Sequence, residues 1–224
     1  MSVPLISCIM PTADRRRFVP DAIRYFLRQS YPEKELLILD DGVDDISDIV
    51  PEHPQIRYFR EPKRATLGEK RNRLCDLAKG ELIAHFDDDD WMAPWRLCYQ
   101  VRCLRDGDIY ACGLKDLFYY NLSNGESWKY VYPETARVWL AGGTLCYTKR
   151  FWAQNPFPKV TVGEDTRFIW GRCDKRLIAL DNARFYVAMI HSANTSRKKT
   201  ADTRWHRLPV REIRDIMGRD WVGV

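Results

Sequence analysis

Three predominantly apolar runs, at residues 5–10, 36–39 and 82–86, dominate the first part of this chain, and the second and third end directly on acidic clusters. A short run without polar alternation predicts a strand buried on both faces. Between the runs, Val19, Ala22, Ile23, Phe26 and Leu27 recur at helical spacing, with Pro20 suited to a first turn. Residues 56–59 predict a further short strand. Residues 68–79 predict a helix with Leu74, Leu77 and Ala78 inward, stopped by Gly80. Pro94 opens another, with Leu97, Cys98, Val101 and Leu104 on one face. Strands alternating with helices through residue 105 imply right-handed βαβ units and a mainly parallel sheet.

The second half is less regular. Residues 108–112, 115–120, 127–132, 144–148 and 185–190 predict strands, with Asn124-Gly125 as a hairpin turn. Residues 165–173 and 210–217 predict helices, and 192–205 form a polar, basic stretch expected to be mobile. No linker interrupts the pattern. The expected organisation is one α/β domain: a nucleotide-binding half (1–105), an acceptor-side half (106–191), and a basic loop with a C-terminal helix (192–224).

Composition narrows the setting. The chain has 224 residues, 45% hydrophobic and 30% charged, which suits a globular fold rather than disorder. No stretch approaches the roughly 18 apolar residues of a membrane span, and Met1-Ser2-Val3-Pro4 does not resemble a secretory leader. The expected compartment is the cytoplasm, with peripheral contact at a membrane surface compatible. The seven cysteines (Cys8, Cys75, Cys98, Cys103, Cys112, Cys146, Cys173) contain no Cys-x-x-Cys pair, so neither a zinc site nor a disulfide scaffold is expected. A net charge of +5 is compatible with phosphates or anionic surfaces and does not indicate nucleic acid.

Position carries the functional signal. In a parallel sheet, ligands bind beyond the carboxyl ends of the strands, which is where Asp40-Asp41 and Asp87-Asp88-Asp89-Asp90 fall. Four adjacent carboxylates repel one another, and Mn²⁺ or Mg²⁺ relieves that while bridging the phosphates of a nucleotide. The alternative is a solvated acidic loop entering a helix.

Several segments together resemble glycosyltransferase family 2, the inverting family with the GT-A, Rossmann-like fold: a mixed, mainly parallel sheet flanked by helices. They are Ile9-Met10-Pro11-Thr12, Asp40-Asp41-Gly42, Gly68-Glu69-Lys70-Arg71-Asn72, the run from Lys79 to Trp91, Gly163-Glu164-Asp165 and His191 to Ser196, in the family's order. The resemblance implies a nucleotide-diphosphate sugar donor, a UDP-sugar above all, bound by Pro11, Thr12, Asp40, Asp41, Arg71, Asp87 and Asp88. It implies Asp87 and Asp89 as an Asp-x-Asp pair, Asp89 and His191 as metal ligands, and Asp165 as general base. Asp165 also stands where a helix N-cap would. Arg197, Lys198 and Lys199 are expected to close over the diphosphate. The acceptor, a glycan, a lipid-linked saccharide or another hydroxyl compound, is not identified.

One departure bears on the donor. The family's aromatic base-stacking residue after Pro-Thr is Ala13 here. The aromatic set Phe118, Tyr119, Tyr120, Trp128, Tyr130, Tyr132, Trp139 and Trp152 divides between core and acceptor cleft. Two rival readings are a sugar-phosphate nucleotidyltransferase, whose glycine-rich phosphate loop is absent from residues 11–17, and a nucleotide- or cation-binding module without catalysis.

Overall fold

The computed structural model describes residues 3–105, 109–171 and 176–221. Along the chain run β1 (Ile6–Thr12), α1 (Val19–Leu27), β2 (Lys34–Asp40), β3 (Ile56–Arg60), α2 (Leu67–Leu77), β4 (Leu82–His85), β5 (Trp91–Met92) and α3 (Arg96–Arg105). They are followed by β6 (Ala111–Gly113), β7 (Leu117–Asn121), β8 (Ser127–Tyr130), β9 (Cys146–Thr148), α4 (Lys149–Gln154), α5 (Glu164–Trp170), β10 (Leu177–Ala179), β11 (Tyr186–Ile190), β12 (Trp205–Leu208) and α6 (Val210–Met217). The expected strand at 108–112 begins only at Ala111, with residue 108 outside the described residues. The expected helix at 165–173 ends at Trp170, and Cys173 also lies outside them.

Seven strands form one sheet in the order β10-β6-β9-β4-β1-β2-β3. Strands β3, β2, β1 and β4 are parallel, whereas β9 runs antiparallel to both β4 and β6. Thr12 pairs with Asp40 and Ile9 with His85, so the acidic strand ends emerge along one edge. The side chains of β1 alternate. Ile6, Cys8 and Met10 pack with Val19, Ile23 and Phe26 of α1 and Leu97 and Val101 of α3. Ile9 packs on the opposite face with Leu37, Leu74, Phe151 and Phe168. Phe168 stacks on Phe157 at 4.1 Å and meets Phe151 edge-on; truncating so buried a ring to Ala costs about 3–5 kcal/mol.

A second, five-stranded sheet, β12-β8-β7-β11-β5, replaces the single mixed edge the sequence suggested. Strand β12 lies within the stretch expected to be mobile through Trp205. It pairs antiparallel with β8, and its central His206 and Arg207 are exposed. Strand β5 joins the far side through β11.

Helix α1 has Pro in its first turn and buries Val19, Ala22, Ile23 and Phe26 along one stripe. Helix α2 starts on a capping box between Thr66 and Glu69. It stops at Leu77 because Ala78 is already extended. Gly80 is therefore not the left-handed cap expected: a Cβ there would stand 2.6 Å from Leu5 O, so close backbone approach explains the residue. Gly125 does adopt φ 70° in the β7–β8 turn. Cys8, Cys75, Cys112 and Cys146 are buried free thiols, as expected, whereas Cys98 is exposed and Cys103 half-buried. Among the described residues no helix is long and apolar enough to cross a membrane.

Candidate active site

The ends of β1 and β2 are interlocked by Asp14. Its backbone is left-handed (φ 57°), and its carboxylate accepts from Val43 N at 2.6 Å and Asp44 N at 3.1 Å while pairing with Arg64 at 2.9 Å. A Cβ at Gly42 would overlap Asp14 N, so this crossing admits only glycine. Pro11, Thr12, Ala13 and Asp14 line one end of a cavity of about 820 Å³.

The two aspartates after β2 differ. Asp40 is fully buried and accepts from Gly42 N (2.9 Å) and Tyr58 OH (3.0 Å), with Arg60 at 3.1 Å. It does not line the cavity. The expected nucleotide contact would have to reach a carboxylate that is buried and already paired at the strand end. Asp41 accepts from Ala65 N and Lys70 Nζ, both at 2.8 Å, with its side chain fully covered. The nucleobase contact expected of it needs a donor to reach an oxygen that is buried here. Lys70, not Arg71, is the cation beside Asp41. Arg71 lines the cavity, but its guanidinium is drawn to Glu164 and, at 3.4 Å, to Asp87.

The tetrad follows β4, and its members have four different surroundings. Asp87 meets Arg71. Asp88 accepts from Thr12 Oγ1 at 2.5 Å; burial, then the neighbouring Asp89, pushes its carboxyl up to about 7. Asp90 accepts from Tyr186 OH and Met189 N, which ties the tetrad to β11. Burial, then Asp89 and Asp87, pushes it well above the carboxylate range. Burial also works against ionisation of Asp89, but the hydrogen bond from His191 and the charge of Arg15 outweigh it and hold Asp89 below its ordinary value. Negative charge thus concentrates on Asp89.

Asp89 Oδ2 is the convergence point. Arg15 Nη1 lies 2.6 Å away, His191 Nε2 3.0 Å and Asn194 Nδ2 3.4 Å. His191 immediately follows β11, stacks on Phe18 at 4.4 Å, and accepts from Ala193 N on Nδ1 at 3.2 Å. Arg15 also donates to Ala193 O, linking β1 to the segment after His191. Among the described residues no group of three or more His, Cys, Asp or Glu side chains gathers as a metal cage.

Asp165 lines the same cavity. It is not the N-cap of α5: Gly163, at φ 76°, holds that position, and Asp165 lies in the first turn. Its Oδ1 accepts from Thr166 N at 2.7 Å. A Cβ at Gly142 would overlap Asp165 Oδ2, and one at Gly143 would stand 2.6 Å from Asp87 Oδ2. These adjacent glycines let both carboxylates sit against the backbone. The Gly142 carbonyl is fixed in turn by His85 Nδ1 at 2.7 Å. Burial, then Arg71, drives the His85 imidazole well below its usual range, so it stays neutral and donates from Nδ1. Glu164, buried against Arg71, is pushed up to about 7 by burial, with Arg71 opposing the shift.

One cavity therefore joins Pro11, Thr12, Asp87, Asp88, Asp89, Arg71, Asp165 and Lys198. His191 reaches it through Asp89, whereas Arg197 is exposed and off its lining. Of the aromatic set, Tyr119 and Trp139 line it. Tyr120, Trp128, Tyr130 and Trp152 are buried core. Sequence reasoning missed Arg15, Lys70, Gly142, Gly143, Tyr186 and Asn194. The Gly-Gly pair and the basic run after β1 were the visible signals for three of these.

The chain matches the sequence model of Glycosyl transferase family 2 over residues 7–155, more than half its length. It is 33% identical over 106 residues to an uncharacterised glycosyltransferase of Haemophilus influenzae, a match covering 45% of this chain and 42% of that protein. The matches to that relative and to others like it cover less than half the length of the curated proteins concerned. In fold it is similar to S. aureus TarS in complex with UDP-GlcNAc, with TM-score 0.69, 18% identity, and coverage of 85% of this chain and 60% of that one. It is also similar to the mannosyltransferase PcManGT of Pyrobaculum calidifontis in complex with GDP-Man and Mn²⁺, with TM-score 0.67, 16% identity, and coverage of 85% and 57%. From the ordered strand-end motifs and the GT-A arrangement to the match over most of its length, this chain belongs to glycosyltransferase family 2.

Proposed function

We propose that the protein is an inverting, metal-dependent glycosyltransferase that moves a sugar from a nucleoside-diphosphate sugar, a UDP-sugar, to an acceptor hydroxyl. The observation that carries this reading is the single cavity whose lining holds both the Asp87–Asp90 tetrad and Asp165, with Asp87 and Asp165 set against the adjacent Gly143 and Gly142. The two related structures, titled as complexes with UDP-GlcNAc and with GDP-Man and Mn²⁺, support the donor class and the metal.

Asp165 takes the proton of the acceptor hydroxyl as its oxygen attacks the anomeric carbon opposite the leaving diphosphate. Gly142 leaves room for that carboxylate against the backbone. Thr12, Asp87 and Asp88 border the donor, and Lys198 reaches the same cavity from the segment after His191. A divalent cation fits at Asp89 and His191. A carboxylate oxygen and an imidazole nitrogen lie 3.0 Å apart there, and a cation would take the place that the Arg15 guanidinium holds on the same oxygen. Mn²⁺ or Mg²⁺ at this position offsets the charge of the departing diphosphate. With Ala13 in place of an aromatic residue, the base-binding end has Arg64, held by Asp14, as its planar group.

The test is release of UDP from a panel of UDP-sugars with Mn²⁺ and no acceptor, alongside a thermal-shift screen of nucleotide sugars. A true donor raises the melting temperature with the logarithm of its concentration over its Kd, and does so only with metal present. Failure of every nucleotide sugar to bind would overturn the assignment.

A further inference from the structure

The reading above leaves one wall of the cavity without a task. The lining also carries an apolar and aromatic set, Leu117, Tyr119, Trp139, Ala141 and Val162, of which Trp139 is tied to the helix of Asp165 through Thr166. The cationic side chains on the described lining lie elsewhere or are already neutralised. Arg15 pairs with Asp89, Arg64 with Asp14, Lys70 with Asp41, and Arg71 with Glu164 and Asp87. Lys198 belongs to the segment after His191. Segments 117–119, 139–143 and 161–166 contribute no cation to the lining.

Trp139 is fixed with respect to the base. Its indole Nε1 donates to Thr166 Oγ1 at 3.1 Å, and Thr166 N donates to Asp165 Oδ1 at 2.7 Å. Base, threonine and indole are therefore connected by two hydrogen bonds. On its other side the indole stacks on Tyr132, 5.3 Å between centroids and 26° between planes, and meets Tyr130 edge-on at 5.9 Å. Tyr132 is itself held by Arg137 O and Asp116 Oδ1, both at 2.9 Å. The indole nitrogen is satisfied, so the half-buried ring meets the cavity without a free donor.

We propose that Trp139 is the stacking platform for a neutral pyranose ring of the acceptor, and that it sets which hydroxyl of that ring reaches Asp165. The inference rests on Asp165 being the base. A pyranose carries its C–H bonds on its faces and its hydroxyls around its rim. Stacked on the indole, it buries an apolar face and turns its rim toward the carboxylate. A polyol phosphate has no such face, and this wall has no cation to meet its charge.

Saturation-transfer NMR with methyl hexopyranosides (gluco, galacto and N-acetylgluco, both anomers) and with glycerol 3-phosphate, in the presence of UDP and Mg²⁺, tests this. Wild type should saturate the ring C–H protons of at least one pyranoside and none of glycerol 3-phosphate. Trp139→Ala should weaken that pyranoside about tenfold, and Trp139→Phe should retain most of the affinity because a stacking face remains. Calorimetry should give the same UDP–Mg²⁺ affinity for both variants, which certifies their folding. Asp165→Asn should bind the pyranoside normally while losing transfer, so a failure of the base assignment is read separately from a failure of the platform. Unchanged pyranoside binding in Trp139→Ala, preference for glycerol 3-phosphate, or no pyranoside binding at all would each overturn the proposal.

Discussion

His191 and Asp89, 102 positions apart in sequence, meet through Nε2 and Oδ2 at 3.0 Å, and Arg15 reaches the same oxygen at 2.6 Å. A guanidinium and a divalent cation compete for one carboxylate. Asp89→Ala is expected to abolish metal-dependent UDP binding with the fold retained. His191→Ala is expected to weaken it less, since water fills a coordination position. Arg15→Ala should tighten Mn²⁺ binding measured without nucleotide, by electron paramagnetic resonance of the free ion. Weaker Mn²⁺ binding in that variant would show that Arg15 supports the site instead of competing for it.

Asp165→Asn keeps the size and the Thr166 contact but cannot take a proton at neutral pH. Sugar transfer should fall by roughly 10²–10⁴-fold, the range for loss of a general base, with UDP affinity unchanged in titration calorimetry. Transfer near the wild-type rate would reduce the residue to a first-turn carboxylate.

Glu164 supplies a pH dependence of stability. Burial lifts its pKa in the folded chain to about 7, above the 4.5 of an ordinary glutamate. The unfolded chain therefore releases this proton first as pH rises. The group's stabilising contribution is complete below the unfolded value and is lost as pH climbs through about 7. Wild-type stability relative to Glu164→Gln, from urea midpoints, should decline by up to about 3 kcal/mol across that window. A difference that grows with pH instead would mean that Arg71 keeps Glu164 ionised throughout.

Residues 192–204 should gain hydrogen-exchange protection when UDP and Mn²⁺ are present together. Ala193 to Ser196 and Lys198 already line the cavity, and Arg15 holds Ala193 O. Equal protection with and without ligands would remove this segment from donor closure.

The parallel half of the fold was legible because β1, β2 and β4 are buried on both faces, and such strands read as predominantly apolar runs without polar alternation. The second sheet was not. Strand β5 is two residues long, too short for any period, and β12 exposes its central polar residues, His206 and Arg207, at a sheet edge, where composition reads as loop. Within the site, the motif order identified the residues but not their neighbours. Lys70 and Arg71 are adjacent on α2, so only the rotation of that helix decides that Lys70 meets Asp41 while Arg71 turns toward Glu164. Arg15 was one of three consecutive arginines, and nothing in the sequence distinguished it from Arg16, which pairs with Asp44 and Asp48 at the surface.

The stretch matched by the family model closes at residue 155, ahead of both Asp165 and His191. Translation consequently builds the acidic tetrad well before the residues that complete it. A nascent chain halted at that point would hold β1, β2, β3, β4 and β9 and all four aspartates, yet lack β11, the strand that brings His191 to Asp89 and Tyr186 to Asp90. Completion of the cluster thus waits on residues 165–191, and a chain halted at residue 155 has neither the Asp165 carboxylate nor the His191 imidazole.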